Sequence, residues 1–442
     1  MQNDLKETIL QEKVEILEKN VKSEADIKTL QYINDWLDSS SFEEILENPN
    51  LLNLIIKEIS KKVVGETETI KTILLSCFGS LVENHQIASY NLLINSESGA
   101  GKDYVAYNTI QVLPRENWLK RTRITPNVFT YWHNPKFEPE WSWNGKICYL
   151  EDISDNVMNA EVFKTMCSSG SSATVLINQI PIDIEIKGKP VMVLTSANAS
   201  PSSEVTRRFT IVNLDESVDQ TKSIMERQAN YESEGIELEY SKKLISALAN
   251  LKRVKVKIPY AKFLTDFLPK DSIIMRTHFQ RFLDYIKSSC ALYQCQRKQD
   301  GYDFYLAEGK DYDIARDVLL KLTSNPLMIP LTHNDRKLLD VFESLNEPIS
   351  AKELEAKVNF LSVAQLFRLL NKLSKYGFLE KSTRESEDNR KTCTTWSLSN
   401  SIKLSPLNIP TWLEIQGKMP NNDSNDNDEN KENNDNDENN SH

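Results

Sequence analysis

Residues 91–110 read NLLINSESGAGKDYVAYNTI: an apolar strand, a loop holding Gly99 and Gly101, and then a helix. A strand delivers such a loop to a sheet edge, glycines let backbone N–H groups approach phosphate oxygens, and the helix N-terminus adds positive potential. Lys102 would then reach the β- and γ-phosphates of a nucleotide. Glu97, Ser98, Gly99, Ala100, Gly101, Lys102, Asp103 and Tyr104 form the candidate cradle. Two positions depart from G-x-x-x-x-G-K-[ST]: Ser96 replaces the first glycine, and Asp103 stands where Ser or Thr holds Mg²⁺. A carboxylate can ligate Mg²⁺ but brings negative charge beside the phosphates, so weakened hydrolysis or altered metal use is expected. Taken alone, the stretch also reads as a Gly-containing turn.

Working outward, three further segments carry matching chemistry. KICYLED (residues 146–152) is an apolar strand ending in two carboxylates, where a phosphate-transfer site keeps a Mg²⁺ ligand and a base for the attacking water. Position suggests Glu151 toward the metal and Asp152 toward the water, with the reverse open, both facing the triphosphate from the adjoining strand. PVMVLTSAN (190–198) ends in Thr195, Ser196 and Asn198. That strand is expected beside the phosphate-binding one, with Asn198 orienting the lytic water. EVTRRFTIVNL (204–214) places Arg207 and Arg208 before a strand, where an arginine at a subunit edge can act on a neighbour's γ-phosphate. Each segment has a plainer reading: an acidic turn, a strand end, a solvated basic pair. Their order within one domain's length is what points to a nucleotide site.

The stretch from Glu58 to Arg208 resembles the AAA+ helicases of superfamily three and the minichromosome-maintenance ATPases, and most closely the helicase-like ATPase regions of primase-associated proteins in phages and mobile elements. EISKKVVGETETIKTILLSCFGS (58–80) is similar to the helical lead-in of those ATPases, in which a Val-Gly pair contacts adenine; here that implies Val64 and Gly65. VLTSANASPSSEVTRRF (193–209) resembles the sensor strand, linker and Arg pair of superfamily three. The resemblance implies ATP and Mg²⁺ as cofactors, DNA as substrate (single-stranded or forked), and a homo-oligomeric ring, usually a hexamer. Related helicases direct a basic hairpin at the DNA channel just before the sensor strand, which implies Lys187 and Lys189; an ordinary hairpin turn fits those lysines as well. A primase or polymerase would be a separate partner. The implied activity is that of an ATP-dependent DNA helicase or replication-initiation ATPase. Two alternatives remain: a nucleotide-switched initiator with little hydrolysis, and a loader that binds protein partners.

The expected architecture is α/β: an N-terminal helical region (1–50), an AAA+ P-loop core with a parallel sheet and flanking helices (51–218), a helical lid (219–325), a C-terminal winged helix (332–400) and a disordered acidic tail (417–442). In the winged-helix segment three short helices precede FLEKSTR and TTWSLS, which make the wing. Its third helix would enter the major groove of duplex DNA through Gln365, Arg368, Asn371, Lys372 and Lys375, with Lys381, Arg384, Arg390 and Lys391 against phosphates. Protein contact is the alternative use of that module.

The net charge of −11 argues at first against a polyanion partner. About −7 of it, however, lies in the Asn/Asp/Glu run from Asn421 to His442, too polar to fold. The remainder is nearly balanced. Six scattered cysteines without C-x-x-C spacing exclude a zinc or redox framework and suit a reducing compartment. No leader pattern and no long apolar run is evident, so a cytoplasmic protein without membrane contact is expected. Trp132, Trp141 and Trp143 cluster before the acidic strand and read more readily as core than as a base-stacking surface.

Overall fold

Short apolar runs bounded by turns make the strands β1 (Leu92–Ser96), β2 (Trp118–Arg121), β3 (Ile147–Leu150), the pair β4 (Ser171–Ile177) and β5 (Ile180–Ile186), β6 (Val191–Ala197) and β7 (Thr210–Val212). The computed structural model describes residues 36, 38–84, 90–96, 98–125, 127–132, 140–168, 171–177, 180–197, 208–234, 238–267, 275–322, 333–345, 347–358, 361–375, 378–385, 392–399 and 409–417. Five of the strands form one parallel sheet in the order β2-β3-β6-β1-β7. All residues of β1 and β3 are buried, as both faces of a helix-covered parallel sheet require. Strands β4 and β5 form a separate antiparallel pair leading into β6.

One expectation about this sheet is corrected. The acidic strand β3 does not adjoin β1, because β6 lies between them. A strand's sequence sets its burial, whereas its place in a parallel sheet is set by crossovers. Because every pairing is parallel, the C-terminal ends of β1, β6 and β3 still share one edge, where ligands of such sheets bind.

The helices of this part are α1 (Phe42–Leu46), α2 (Leu51–Ser60), α3 (Thr67–Phe78), α4 (Lys102–Ile110), α5 (Asp155–Met158), α6 (Glu161–Met166), α7 (Val218–Glu234), α8 (Lys242–Leu248), α9 (Ala261–Leu264), α10 (Met275–Leu292) and α11 (Gly309–Leu322), with a short parallel pair, β8 (Lys255–Lys257) and β9 (Phe304–Leu306), among them. Ser41 starts α1 with a capping box: its hydroxyl accepts from the Glu44 N–H while the Glu44 carboxylate accepts from the Ser41 N–H. One hydrophobic cluster runs from Ile45 and Leu52 through Ile70, Ile94 and Ala106 to Leu248, Ile286, Leu292 and Val318. The cluster is continuous across residues 50/51 and 218/219, and α10 packs on α3 within the same apolar interior. The other face of the sheet covers a second cluster in which Phe129, Trp143 and Phe163 meet Leu93, Cys148, Met192 and Leu194. Trp141 meets Trp143 edge-on and Trp132 meets it at a tilt, at centroid distances of 4.7 and 5.0 Å, so the tryptophans are packing residues.

Further along, α12 (His333–Glu343), β10 (Ile349–Ser350), α13 (Ala351–Glu355), α14 (Val363–Lys375), β11 (Leu379–Glu385) and β12 (Thr392–Leu398) enclose a third cluster centred on Leu366, Leu370 and Trp396. Its sheet has the order β10-β12-β11 and is antiparallel. The chain then returns to the main body as α15 (Trp412–Gln416). Tyr312 on α11 donates to the Pro410 carbonyl at 2.7 Å, Arg316 donates to the Ile409 carbonyl at 2.7 Å, and the Trp412 N–H donates to Asp313 at 3.0 Å. A Cβ at Gly309 would stand 2.2 Å from the Trp412 indole nitrogen, so only glycine admits that ring. The acidic tail lies outside the described residues apart from Gly417. No helix of the described residues is long and apolar enough to cross a membrane.

Candidate functional site

Strand β1 runs into a loop whose Gly99 and Gly101 hold φ of +89° and +86°. Left-handed backbone of that kind is cheap only for glycine. A Cβ at either glycine would meet nothing within 4 Å, so the loop faces open space on the side where phosphates would lie. Gly101 caps α4, and Lys102 follows, 6% exposed, with Nζ 3.9 Å from Asp103 Oδ2. Ser96, at the position where a first glycine was sought, is buried and its hydroxyl accepts from the Leu214 N–H at 2.8 Å. It closes the end of β1 onto the segment leaving β7.

Across the same edge, the ends of β3 and β6 are laced together. The Ile153 N–H donates to the Thr195 carbonyl at 2.9 Å, and the Asp152 N–H donates to Thr195 Oγ1 at 3.0 Å. Asp152 sits at φ +44°, a strained position for a residue with a side chain. Thr195 Oγ1 in turn donates to Asp103 Oδ1. The first turn of α4, the sensor-like strand β6 and the acidic end of β3 are thus joined through one buried hydroxyl.

Glu151 is held from the other side. Lys120 on β2 places Nζ 2.6 Å from Glu151 Oε1 and 3.8 Å from the centre of the Tyr107 ring. The Tyr149 hydroxyl lies 3.3 Å from both Glu151 Oε1 and the Asp103 carbonyl. Burial, and then the Glu151 and Asp103 carboxylates, push the Tyr149 hydroxyl well above its ordinary range, so it stays a donor. Neither Lys120 nor Tyr149 was singled out from sequence. Lys120 belongs to no motif, and Tyr149 reads simply as an inward strand residue.

Oxygen donors of this kind suit a hard divalent cation. Among the described residues no three His, Cys, Asp or Glu side chains stand close enough to hold a metal by themselves. The donor set therefore fits a cation that arrives with phosphate oxygens of its own, with Asp103 and the Glu151–Asp152 pair as the protein's share. Together with the sheet order, this geometry meets the requirements of a phosphate-binding loop.

Residues 36–252 match the family model described as MTBMA_p00010 P-loop domain. The match covers just under half of the chain. The five-stranded parallel sheet and its flanking helices fit a P-loop NTPase core. Such a domain suggests nucleotide binding or hydrolysis. No curated protein matches the chain.

The turn expected to contact the base lies near the first turn of α4. The Tyr104 hydroxyl donates to the Lys62 carbonyl at 3.2 Å, two residues before Val64. The Val64 carbonyl itself accepts from Gln220 on α7 at 2.8 Å, and Gly65, at φ +63°, presses against that same amide. Glu66 ties this turn to the end of β7 by accepting from the Asp215 N–H at 2.7 Å.

Other expected residues fall elsewhere. Glu97, Asn198 and Arg207 lie outside the described residues. Arg208 precedes β7, and its Nε donates to Ser168 Oγ. Parallel pairing puts Thr210 level with Leu92, so Arg208 is roughly 20 Å from the loop edge. Lys187 and Lys189 are not on the tip of the β4–β5 hairpin but on the link from β5 to β6, at the edge opposite the phosphate-binding loop. Turn residues in the sequence do not say which end of a hairpin they serve. Lys187 is exposed, whereas burial lowers the Lys189 amine to about 7, opposed by the charge of Asp284.

In the C-terminal module, Lys372 lies 2.6 Å from the fully buried Asp335, and Arg384 lies 2.5 Å from Glu353. Lys381 donates to Asn371 Oδ1 at 3.1 Å, and Gln365 accepts from Ser362 at the start of α14 at 3.0 Å. Helical periodicity gave the face these side chains occupy but not their internal partners. Arg368 is exposed beside Phe367. Nothing is described of the Lys375 side chain, Arg390 or Lys391.

Proposed function

We propose that the chain is an ATP-dependent DNA helicase or replication-initiation ATPase of a mobile element, virus or plasmid, built on the AAA+ plan. The observation that carries the reading is the convergence of Lys102, Asp103, Thr195 and the Glu151–Asp152 pair on one edge of a sheet with the order β2-β3-β6-β1-β7. In this reading the amides of Gly99 to Gly101 and the start of α4 bind the phosphates, and Lys102 neutralises their outer charge. Val64, Gly65 and Tyr104 border the base. Asp103 and the Glu151–Asp152 pair would hold Mg²⁺, whose charge offsets that developing on the transferred phosphoryl group. Of the two acids, the one not turned to the cation orients the attacking water, with Asn198 as a further candidate for that task.

The placement of Arg208 far from its own loop supports action on a neighbouring subunit, so the reading includes a ring, expected to be hexameric, with shared sites. The three helices and strand pair of the C-terminal module are read as a winged helix on duplex DNA, with Arg368 among the exposed candidate contacts. Lys187 and Lys189 are less favoured as DNA contacts.

One observation favours a second reading, a nucleotide-switched initiator with slow hydrolysis: both Lys120 and Tyr149 engage Glu151 Oε1. A helicase predicts ATP turnover stimulated by single-stranded DNA and abolished by Lys102→Ala, together with strand displacement on a fork. Turnover unchanged in the Lys102→Ala protein would end the nucleotide-motor reading. Nucleotide binding without turnover or displacement would select the switch.

A further inference from the structure

Asp103 occupies the position from which a hydroxyl was expected, and a hydroxyl is nevertheless present: that of Thr195, delivered from β6 and fully buried. The two groups have exchanged strands for helix. Thr195 Oγ1 accepts from the Asp152 N–H at 3.0 Å, which orients its own hydrogen toward Asp103 Oδ1. The Asp103 side chain is 41% exposed, and Oδ2 points to the side of Lys102, 3.9 Å away. One carboxylate oxygen is thus locked by the sheet while the other faces the mouth of the loop.

A fixed negative charge at the start of a phosphate-binding helix works against the purpose of the loop. A bare triphosphate would meet electrostatic repulsion there, which the side chain cannot relieve by swinging away because Thr195 holds one of its oxygens. A triphosphate carrying a divalent cation meets the opposite: the same oxygen becomes a ligand. We propose that Thr195 is a positioning residue that fixes Asp103 so that the site accepts nucleoside triphosphate complexed with a divalent cation and rejects the metal-free form. The inference rests on the nucleotide reading above and adds the selectivity of that site.

The test is a binding titration of a fluorescent ATP analogue into the full chain, once with Mg²⁺ and once with EDTA, the readout being the ratio of the two Kd values. In the native chain the ratio is expected to exceed about tenfold, the factor that 1.4 kcal/mol represents. Asp103→Asn, which keeps the shape and the acceptor oxygen, tightens metal-free binding and collapses the ratio. Thr195→Val lowers the ratio toward that of Asp103→Asn, and Thr195→Ser restores it. In an Asp103→Ser background Thr195→Val adds nothing, because the group it positions is gone. A Thr195→Val ratio equal to the native one overturns the inference, as does an equal loss from Thr195→Val in both backgrounds, which would make Thr195 merely structural. Should Thr195→Val not fold, the Asp103→Asn and Thr195→Ser arms decide: a ratio unmoved by Asp103→Asn, or lost in Thr195→Ser, overturns it. Absence of binding to the native chain in either buffer would instead remove the nucleotide reading, and the inference with it.

Discussion

Lys120 Nζ stands 2.6 Å from Glu151 Oε1, so a cation from β2 clamps a carboxylate of the acidic strand end. The pair is mostly shielded from solvent, and Tyr149 contributes a further donor to the same oxygen. The clamp occupies the oxygen that a cation or an attacking water would otherwise use. Lys120→Met keeps a side chain of similar length beside the Tyr107 ring and removes the ammonium that now sits over it. Expected is a severalfold rise in DNA-independent ATP turnover, with nucleotide affinity little changed. A fall in turnover at unchanged affinity would show the ion pair to be part of the working arrangement rather than a restraint.

Gly101 at φ +86° offers a cleaner test of the loop. Gly101→Ala should cost about 1–2 kcal/mol of stability from backbone strain alone, since no neighbour lies within 4 Å of the added carbon. The new methyl group enters the space assigned to phosphate, so nucleotide affinity should fall by more than the stability loss accounts for. Denaturant titration and nucleotide titration on the same variant separate the two effects.

Lys189 carries a pH signature. Its amine is buried without a hydrogen-bond partner among the described residues and titrates near 7 instead of 10.5. Between those values the unfolded chain binds the proton more tightly than the folded one, so this residue makes stability rise with pH across that window. Its cost is fully present below pH 7. Lys189→Met should therefore raise Tm at pH 6.5, and the advantage over the native chain should shrink toward pH 10. A gap independent of pH would assign the gain to packing.

In the C-terminal module, Lys372 and Arg368 should separate stability from recognition. Lys372→Ala removes the ammonium from beside the buried Asp335 carboxylate and should cost roughly 2 kcal/mol, discounted because Lys372 is partly in solvent. Arg368→Ala should leave the melting transition in place but weaken DNA binding and lower the salt slope by about 1. Equal loss of stability in both variants would remove Arg368 as a surface contact.

Much of the P-loop domain was legible because its signals are local. The runs 92–96, 147–150 and 191–197 are apolar, short and bounded by turns, and they became β1, β3 and β6. Gly99 and Gly101 announced left-handed backbone, and both have it. What escaped the sequence is non-local. Nothing in KICYLED says that β6 will come between it and β1. Thr195 was noted as one of several polar residues ending a strand, but its bond to Asp103 spans 92 residues of chain. Lys120 and Glu151 meet only because β2 and β3 pair in register. The packing of α10 is non-local in the same way: its periodicity marks an apolar stripe but not that the stripe lies on α3.

The seating of Trp412 over Gly309 has a mechanical corollary. The globule spanning residues 333–399 leaves the main body after α11 and rejoins it on α11, by connections of ten residues (323–332) and nine (400–408). Either tether spans at most about 36 Å when taut. A load moored twice to one beam can stray no farther than its shorter mooring allows, and any pull on it is felt at both anchorages on α11.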